Sequence, residues 1–335
     1  MPEIAVFTRV DARLEPRLRE LYARHREAAR RIDWSYASLL PWEQGRNFAR
    51  EPWDPRQRRL NAPMYVAVET ALLTEVNLPW FTASLDDVFR KSLRVLHDFL
   101  RAWTAEEDQH SDILQTYLLL TRNAGPEQLH ELRHAVMEQG FVAEYSTPIE
   151  LMVCTTIQEL ATRAFYLSVA QAGRSQDADL ARILRRLAKD ETLHYGFYRD
   201  VISTHLQADP NYVWPIARVL RDFNMPGHAM PDFKGRMRVI AAHAGYGPAE
   251  YFHQVVEALV KYWDIEHLQP TLAEAIASRH EILMYERRLG RLADRRAAGR
   301  QHRAPLAAHP TDDWGAPPNV GHGRVPGERD VMRGG

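Results

Sequence analysis

The sequence predicts an all-α fold: a four-helix bundle able to hold a pair of metal ions, with additional helices packed around it. Three observations predict it. The chain has 335 residues, 45% of them hydrophobic, enough for a sizeable core. Its apolar residues recur at helical spacing between Pro, Gly and Asn punctuation, with no strands of note. And it carries a repeated pattern of Glu followed, much later, by Glu-x-x-His.

That pattern needs more than its motif to count. On a helix, positions i and i+3 share a face, so Glu-x-x-His presents a carboxylate and an imidazole together. The chain has 15 His and five such pairs: Glu107/His110, Glu127/His130, Glu131/His134, Glu191/His194 and Glu250/His253. Spacing separates them. Glu75 lies 32 residues before Glu107, and Glu159 lies 32 residues before Glu191. The other three pairs have Val95, Phe99 and Arg218 at that offset. The second copy follows the first by 84 residues. Four carboxylates and two imidazoles in this order match the ligand rule of dinuclear carboxylate bundles. Four Glu inside an apolar bundle would repel one another unless cations neutralised them. Oxygen ligands with some imidazole suit iron or manganese better than thiolate sites do. Any one of these Glu taken alone reads as a solvated helix face.

Taken in order, residues 1–11 read as irregular and 12–31 as a charged amphipathic helix with Leu14, Leu18, Leu21 and Tyr22 inward. Residues 32–58, rich in Trp and Pro, read as an ordered irregular segment on the bundle. Residues 60–77 are apolar nearly all round, as in a buried helix, which makes Glu75 conspicuous; Glu69 is its rival. Residues 84–122 read as one long helix starting at Ser84. A shorter polar helix follows over 126–139, then bundle helices over 147–173 and 176–206. Residues 210–295 read as more helices, broken at Asn224-Met-Pro-Gly, Gly245-Tyr-Gly-Pro and Gln269-Pro. The expected organisation is one helical domain over 1–296, with its bundle core at about 60–206. A Pro/Gly/Arg-rich tail over 297–335 is expected to be disordered or draped on the surface.

Composition excludes other classes. A net charge of −1 gives no general reason to bind nucleic acid. The single Cys154 cannot form an intrachain disulfide, which fits a reducing cytoplasm. The N-terminus lacks a basic-then-apolar signal pattern, and no apolar run approaches transmembrane length.

The same residues resemble a known family, the soluble acyl-acyl carrier protein desaturases of the stearoyl type, within the ferritin-like di-iron superfamily. Thr74-Glu75-x-x-Leu78-Pro79 looks like its first ligand helix and Arg101-Ala-Trp-Thr-Ala-Glu-Glu-x-x-His110-x-Asp112 like its second. Gln158-Glu159-x-Ala161-Thr162 resembles the third and Ala188-x-Asp190-Glu191-x-x-His194 the fourth. Met225-Pro226-x-His228-x-Met230 matches a further segment, and the resemblance runs from about Trp34 to Asp232. Tyr195, the 35–60 segment and the C-terminal third depart from the family pattern.

The resemblance implies a homodimer with a di-iron centre in each chain. Its ligands would be Glu75, Glu107, His110, Glu159, Glu191 and His194, with Glu107 and Glu159 between the irons and Glu75 and Glu191 outside. Thr162 would stand near the oxygen site and assist proton delivery. Asp190 would support His110, Trp34 would extend that chain toward the surface as an electron path, and Trp103 would pack beside the centre. The implied reaction is O2-dependent desaturation of a fatty acyl chain on acyl carrier protein, with electrons from a ferredoxin-like donor. Arg90, Lys91 and Arg94 are candidates for docking the acidic carrier. Three alternatives stay open: a hydroxylase acting on a carrier-bound substrate, a radical-generating subunit, and a non-catalytic relative such as an iron store or a chain with a weakened metal site. Against the second, the position one turn after His110 is Leu114 and not Tyr. Against iron storage, cage ferritins are much shorter chains.

Overall fold

The computed structural model describes residues 3–301, and among them it is helical with no strand. Helix α1 spans Glu15–Arg31, α2 Ala62–Glu75, α3 Leu78–Phe89, α4 Arg94–Leu120, α5 Pro126–Gln139, α6 Pro148–Gly173 and α7 Ala178–Ala208. Then come α8 Val213–Asp222, α9 Phe233–His243, α10 Pro248–Tyr251, α11 Glu257–Tyr262 and α12 Ala273–Gln301. A π-helical turn, Phe252–Val256, joins α10 to α11. No helix among the described residues is long and apolar enough to cross a membrane.

Helices α2, α4, α6 and α7 form the ferritin-like four-helix core, with α6 and α7 packed along most of their length. Asp177 fixes the α6–α7 corner. Its side chain caps α7 by accepting from the Leu180 backbone N–H at 2.8 Å and takes a hydrogen bond from the Tyr117 hydroxyl of α4 at 2.9 Å. Helix α1 lies on α4 and α7, α9 on α2, and α8 and α12 pack together against the α6 side.

Helix α2 stops at Glu75 for a local reason. Pro79 stands four residues on, where its ring would clash with the Glu75 carbonyl and could not donate to it. The chain therefore bends and restarts as α3 with Pro79 in its first turn, leaving Glu75 at a helix end inside the bundle.

The long helix expected over 84–122 is two helices, and Ser84 is not a start. Ser84 lies within α3 and its hydroxyl donates to the Trp80 carbonyl at 3.0 Å. The break falls at Arg90–Leu93, which contains neither Gly nor Pro. Tertiary packing makes it: Phe81 and Trp103 have ring centroids 6.0 Å apart, whereas 22 residues of straight helix would separate them by about 33 Å. Folding α3 back onto α4 buries Phe81, Leu85 and Phe89. The 1–11 segment also differs from expectation, with a 3-10 helix over Glu3–Thr8 that buries Ile4 and Phe7. At the other end α12 continues to Gln301, past the 297 boundary drawn from composition. The tail beyond it lies outside the described residues.

The apolar interior is divided. One cluster includes Leu96, Phe99 and Trp103 of α4, Ile149 to Ala161 of α6 and Phe197 to Leu206 of α7. The other includes Ile113 to Leu118 of α4, Ala164 to Ala170 of α6 and Leu180 to Ala188 of α7. On α4 and α7, what separates them is one polar level, occupied by Glu107, His110, Glu191 and His194.

Candidate metal centre

Four helices deliver the six residues of the repeat to that level. Helix α2 supplies Glu75 from its last position, α4 supplies Glu107 and His110, α6 supplies Glu159, and α7 supplies Glu191 and His194. Their donor atoms form two overlapping groups, each within 4.8 Å. One contains Glu75, Glu107 and His110; the other contains Glu107, Glu159, Glu191 and His194. Glu107 belongs to both groups, and Glu159 belongs to the second group only. The His110 Nδ1 is 2.9 Å from a Glu107 oxygen and 3.4 Å from a Glu191 oxygen. The His194 Nδ1 is 2.6 Å from Glu107 and 3.4 Å from Glu159.

The donor set fits a pair of cations. Glu107 Oε1, Glu159 Oε2, Glu191 Oε1 and the Nδ1 atoms of both His are buried without a hydrogen-bond partner, although they are close to one another. They are near but not aimed at each other, as ligand atoms are when they face common points between them. Buried polar atoms left unmade are costly and rare, so five of them together indicate something that fills the gap. The protonation pattern agrees. Burial, then the neighbouring Glu107, pushes Glu75 up to about 7 and also raises Glu191 and Glu159. Burial alone would lower His110 and His194, but Glu107 and the hydrogen-bonding carboxylates reverse it and both rise well above the usual range. Protons gather on these groups, where divalent cations would replace them.

Each imidazole has an outer carboxylate. Asp190 Oδ2 is 3.4 Å from His110 Nε2 and accepts from the Trp34 indole N–H at 2.7 Å. Arg186 pairs with its other oxygen, and the Arg186 guanidinium lies 5.2 Å over the Trp34 ring. Trp34, half-buried, is thus the outer end of a connected path from the surface segment to His110. On the other side, His194 Nε2 is 3.2 Å from Glu106 Oε2, which is also 2.9 Å from His25 Nε2 of α1. Arg26 donates to the other Glu106 oxygen at 3.4 Å. Burial would raise Glu106, but the hydrogen bonds from His194 and His25 outweigh it and hold the carboxyl at about 2. Sequence reasoning missed Glu106 and His25. The signal was present: an acid stands immediately before the candidate ligand Glu in both copies, Glu106-Glu107 and Asp190-Glu191. Each acid serves the His of the opposite helix. Thr162 lines the wall of the ligand pocket with Glu159 and Glu75. Trp103 packs edge-on to His194 with centroids 6.4 Å apart.

Comparison with known proteins decides the family. A family model described as fatty acid desaturase matches residues 8–311. The chain belongs to the fatty acid desaturase family. Among its relatives, DesA1 of Mycobacterium tuberculosis, assigned by name to the acyl-acyl carrier protein desaturases, is 30% identical over 291 residues, covering 81% of this chain and 82% of its own. The chloroplastic stearoyl-acyl carrier protein 9-desaturase of Solanum commersonii is 26% identical over 290 residues, 82% of this chain and 74% of its own. The X-ray structure of DesA2 from Mycobacterium tuberculosis H37Rv shares the fold, with a TM-score of 0.60 at 22% identity over 76% of this chain and 94% of that one.

In this desaturase-family chain the ligand level opens sideways. The pocket bordered by Thr74, Glu75 and Thr162 shares those three residues with a mostly apolar cavity of about 60 Å³ between α2, α6 and α9. That cavity in turn shares Ala161, Met225, Phe233, Met237 and Tyr246 with a surface cleft of about 570 Å³. Lys234 and Arg238 border the cleft. The basic strip singled out from sequence is elsewhere and is paired: Arg90 with Asp86, Lys91 with Asp87 at 2.8 Å and Arg94 with Asp98 at 3.8 Å. The remaining Glu-x-x-His pairs are not at the centre; Glu127, His130, Glu131 and His134 are exposed on α5.

Proposed function

We propose that this chain desaturates a saturated fatty acyl group carried on acyl carrier protein. Glu75, Glu107, His110, Glu159, Glu191 and His194 would hold two iron ions. The observation that carries the reading is the continuity from ligand pocket to apolar cavity to open cleft, which lets a flexible apolar chain reach the polar level from outside. Bound iron, reduced by two electrons from a ferredoxin-like donor, supplies the power to use O2 against an unactivated C–H bond.

The protein's own groups do the rest. The cavity holds the acyl chain and fixes which carbons lie beside Glu75 and Thr162. The Thr162 hydroxyl, at the junction of pocket and cavity, can carry a proton between them. Asp190 and Glu106 orient the two imidazoles by accepting from Nε2, so that Nδ1 faces inward. Trp34, joined to Asp190, forms the electron entry. Trp103, in the wall of the pocket with Phe81 and Leu78, helps to exclude water. Lys234 and Arg238 at the cleft mouth suit an acidic carrier better than the ion-paired Arg90, Lys91 and Arg94. We also propose a cytoplasmic homodimer; a chain whose only Cys154 is a buried free thiol suits a reducing compartment.

The test is a mass spectrum of acyl groups after one aerobic turnover of iron-loaded, reduced protein with saturated acyl carrier proteins of several lengths. Loss of two hydrogens from one length is expected. Gain of one oxygen would replace desaturation with hydroxylation. Absence of bound iron would overturn the ligand assignment.

A further inference from the structure

Among the candidate ligands, Glu75 is held differently from the rest. Glu107, Glu159 and Glu191 each leave an unpartnered buried oxygen at the centre. Glu75 instead accepts a hydrogen bond on Oε1 from the Tyr166 hydroxyl, 2.5 Å away. Tyr166 lies on α6 two turns after Glu159 and is fully buried. In this pair the Tyr166 hydroxyl donates and the carboxylate accepts. A carboxylate with one oxygen committed in this way presents the other alone; released, it can offer both.

Tyr166 has a second face. Its ring lines the apolar cavity beside Phe165, Thr162 and Glu75. The hydrogen bond therefore spans the boundary between the cavity and the ligand level. Whatever fills the cavity touches the ring that restrains Glu75.

We propose that Tyr166 is a positioning residue that limits Glu75 to one metal-facing oxygen and transmits filling of the apolar cavity to the metal centre. This rests on the ligand assignment above. It names a residue for which the sequence repeat gives no signal, because Tyr166 reaches Glu75 across helices rather than from a fixed offset. A cavity occupant that favours a different ring position shifts the Tyr166–Glu75 contact by its differential affinity for the two arrangements.

The experiment uses the full chain loaded anaerobically with Fe(II) and reads iron stoichiometry, iron affinity and the near-infrared circular dichroism of the ferrous ions. Tyr166→Phe removes only the hydroxyl. It is expected to bind two irons with altered band positions and affinity lowered about tenfold, the lower end of effects from groups that orient ligands. Decanoate, a soluble saturated chain, should move the wild-type bands and leave those of Tyr166→Phe unmoved. Tyr166→Gln keeps a donor and should restore the wild-type bands in part. Wild-type spectra and affinity in Tyr166→Phe would overturn the positioning role. A wild-type spectrum indifferent to decanoate, or a Tyr166→Phe spectrum that responds to it, would overturn the coupling. Failure of the wild-type chain to bind iron would instead overturn the ligand assignment itself.

Discussion

Glu191 shows how a single side chain can work against the fold it belongs to. It is buried, and burial with the nearby Glu107 and Glu159 raises its carboxyl well above the usual range. A carboxyl raised in this way favours the folded state fully below its unfolded pKa, and that contribution is lost as pH rises through the folded value. At neutral pH the metal-free protein therefore holds Glu191 at a cost, and Glu191→Gln removes it. The expected result is a metal-free variant at least as stable as wild type at pH 7, with a flatter pH dependence, that no longer binds its full complement of iron. Thermal unfolding from pH 5 to 8 and an iron count check it; a variant less stable than wild type across that range would contradict the account. Glu191 was legible in the sequence through spacing alone, 32 residues after Glu159, because its neighbours Lys189, Asp190 and Thr192 suit an ordinary wet helix face. Glu75 had a second signal, since it closes an otherwise apolar run where a lone carboxyl needs a reason that solvent cannot supply. Glu106 and His25 were harder to find. One lies beside a ligand and the other on a distant charged helix, and only the fold brings them together.

Elements differ in how openly they declare themselves. Three of the four helices that carry the candidate ligands have a cap or Pro in their first turn: Asn61 caps α2, Pro148 opens α6 and Asp177 caps α7. The α3–α4 break had no such mark. Phe81, Leu85 and Phe89 stay in helical phase with Leu96, Phe99 and Trp103, so period alone reads one helix where packing demands two. The N-terminal arm is another case. Its helix α1 brings His25 and Arg26 to Glu106, and the segment after it brings Trp34 to Asp190, so one stretch supports both imidazoles from outside. This symmetry makes a prediction about the pair. Glu106→Ala and Asp190→Ala should each weaken iron binding by about 10–100-fold, to similar extents, because each leaves one imidazole unoriented. Competition against a ferrous chelator measures it. An effect confined to Asp190→Ala would mean that the α1 side only packs.

At the scale of the whole molecule, the all-helical class, the bundle and the gathering of the repeat's six residues at one level were readable from apolar period and spacing. The cleft was not, since α2, α6 and α9 build its inner cavity from segments far apart in the chain. The same bundle has two apolar clusters parted by a charged level that α4 and α7 cross. Without cations that level sets repelling carboxylates and shared protons between them, although α4, α6 and α7 run through both. Calorimetry of iron-loaded and chelator-treated protein should show one sharp transition in the first case. The second should give a lower, broader transition whose calorimetric enthalpy exceeds the van't Hoff value. Free metal a hundredfold above its Kd adds about 2.7 kcal/mol to the loaded form. Coincident transitions would show that the halves are already one unit. On the proposed assignment, loading the charged level would be a proton-for-cation exchange. A newly made chain can collapse on either side of it first. If calorimetry shows the two transitions, the sides become a single cooperative body only when metal arrives, and cation supply sets the timing of the last folding step.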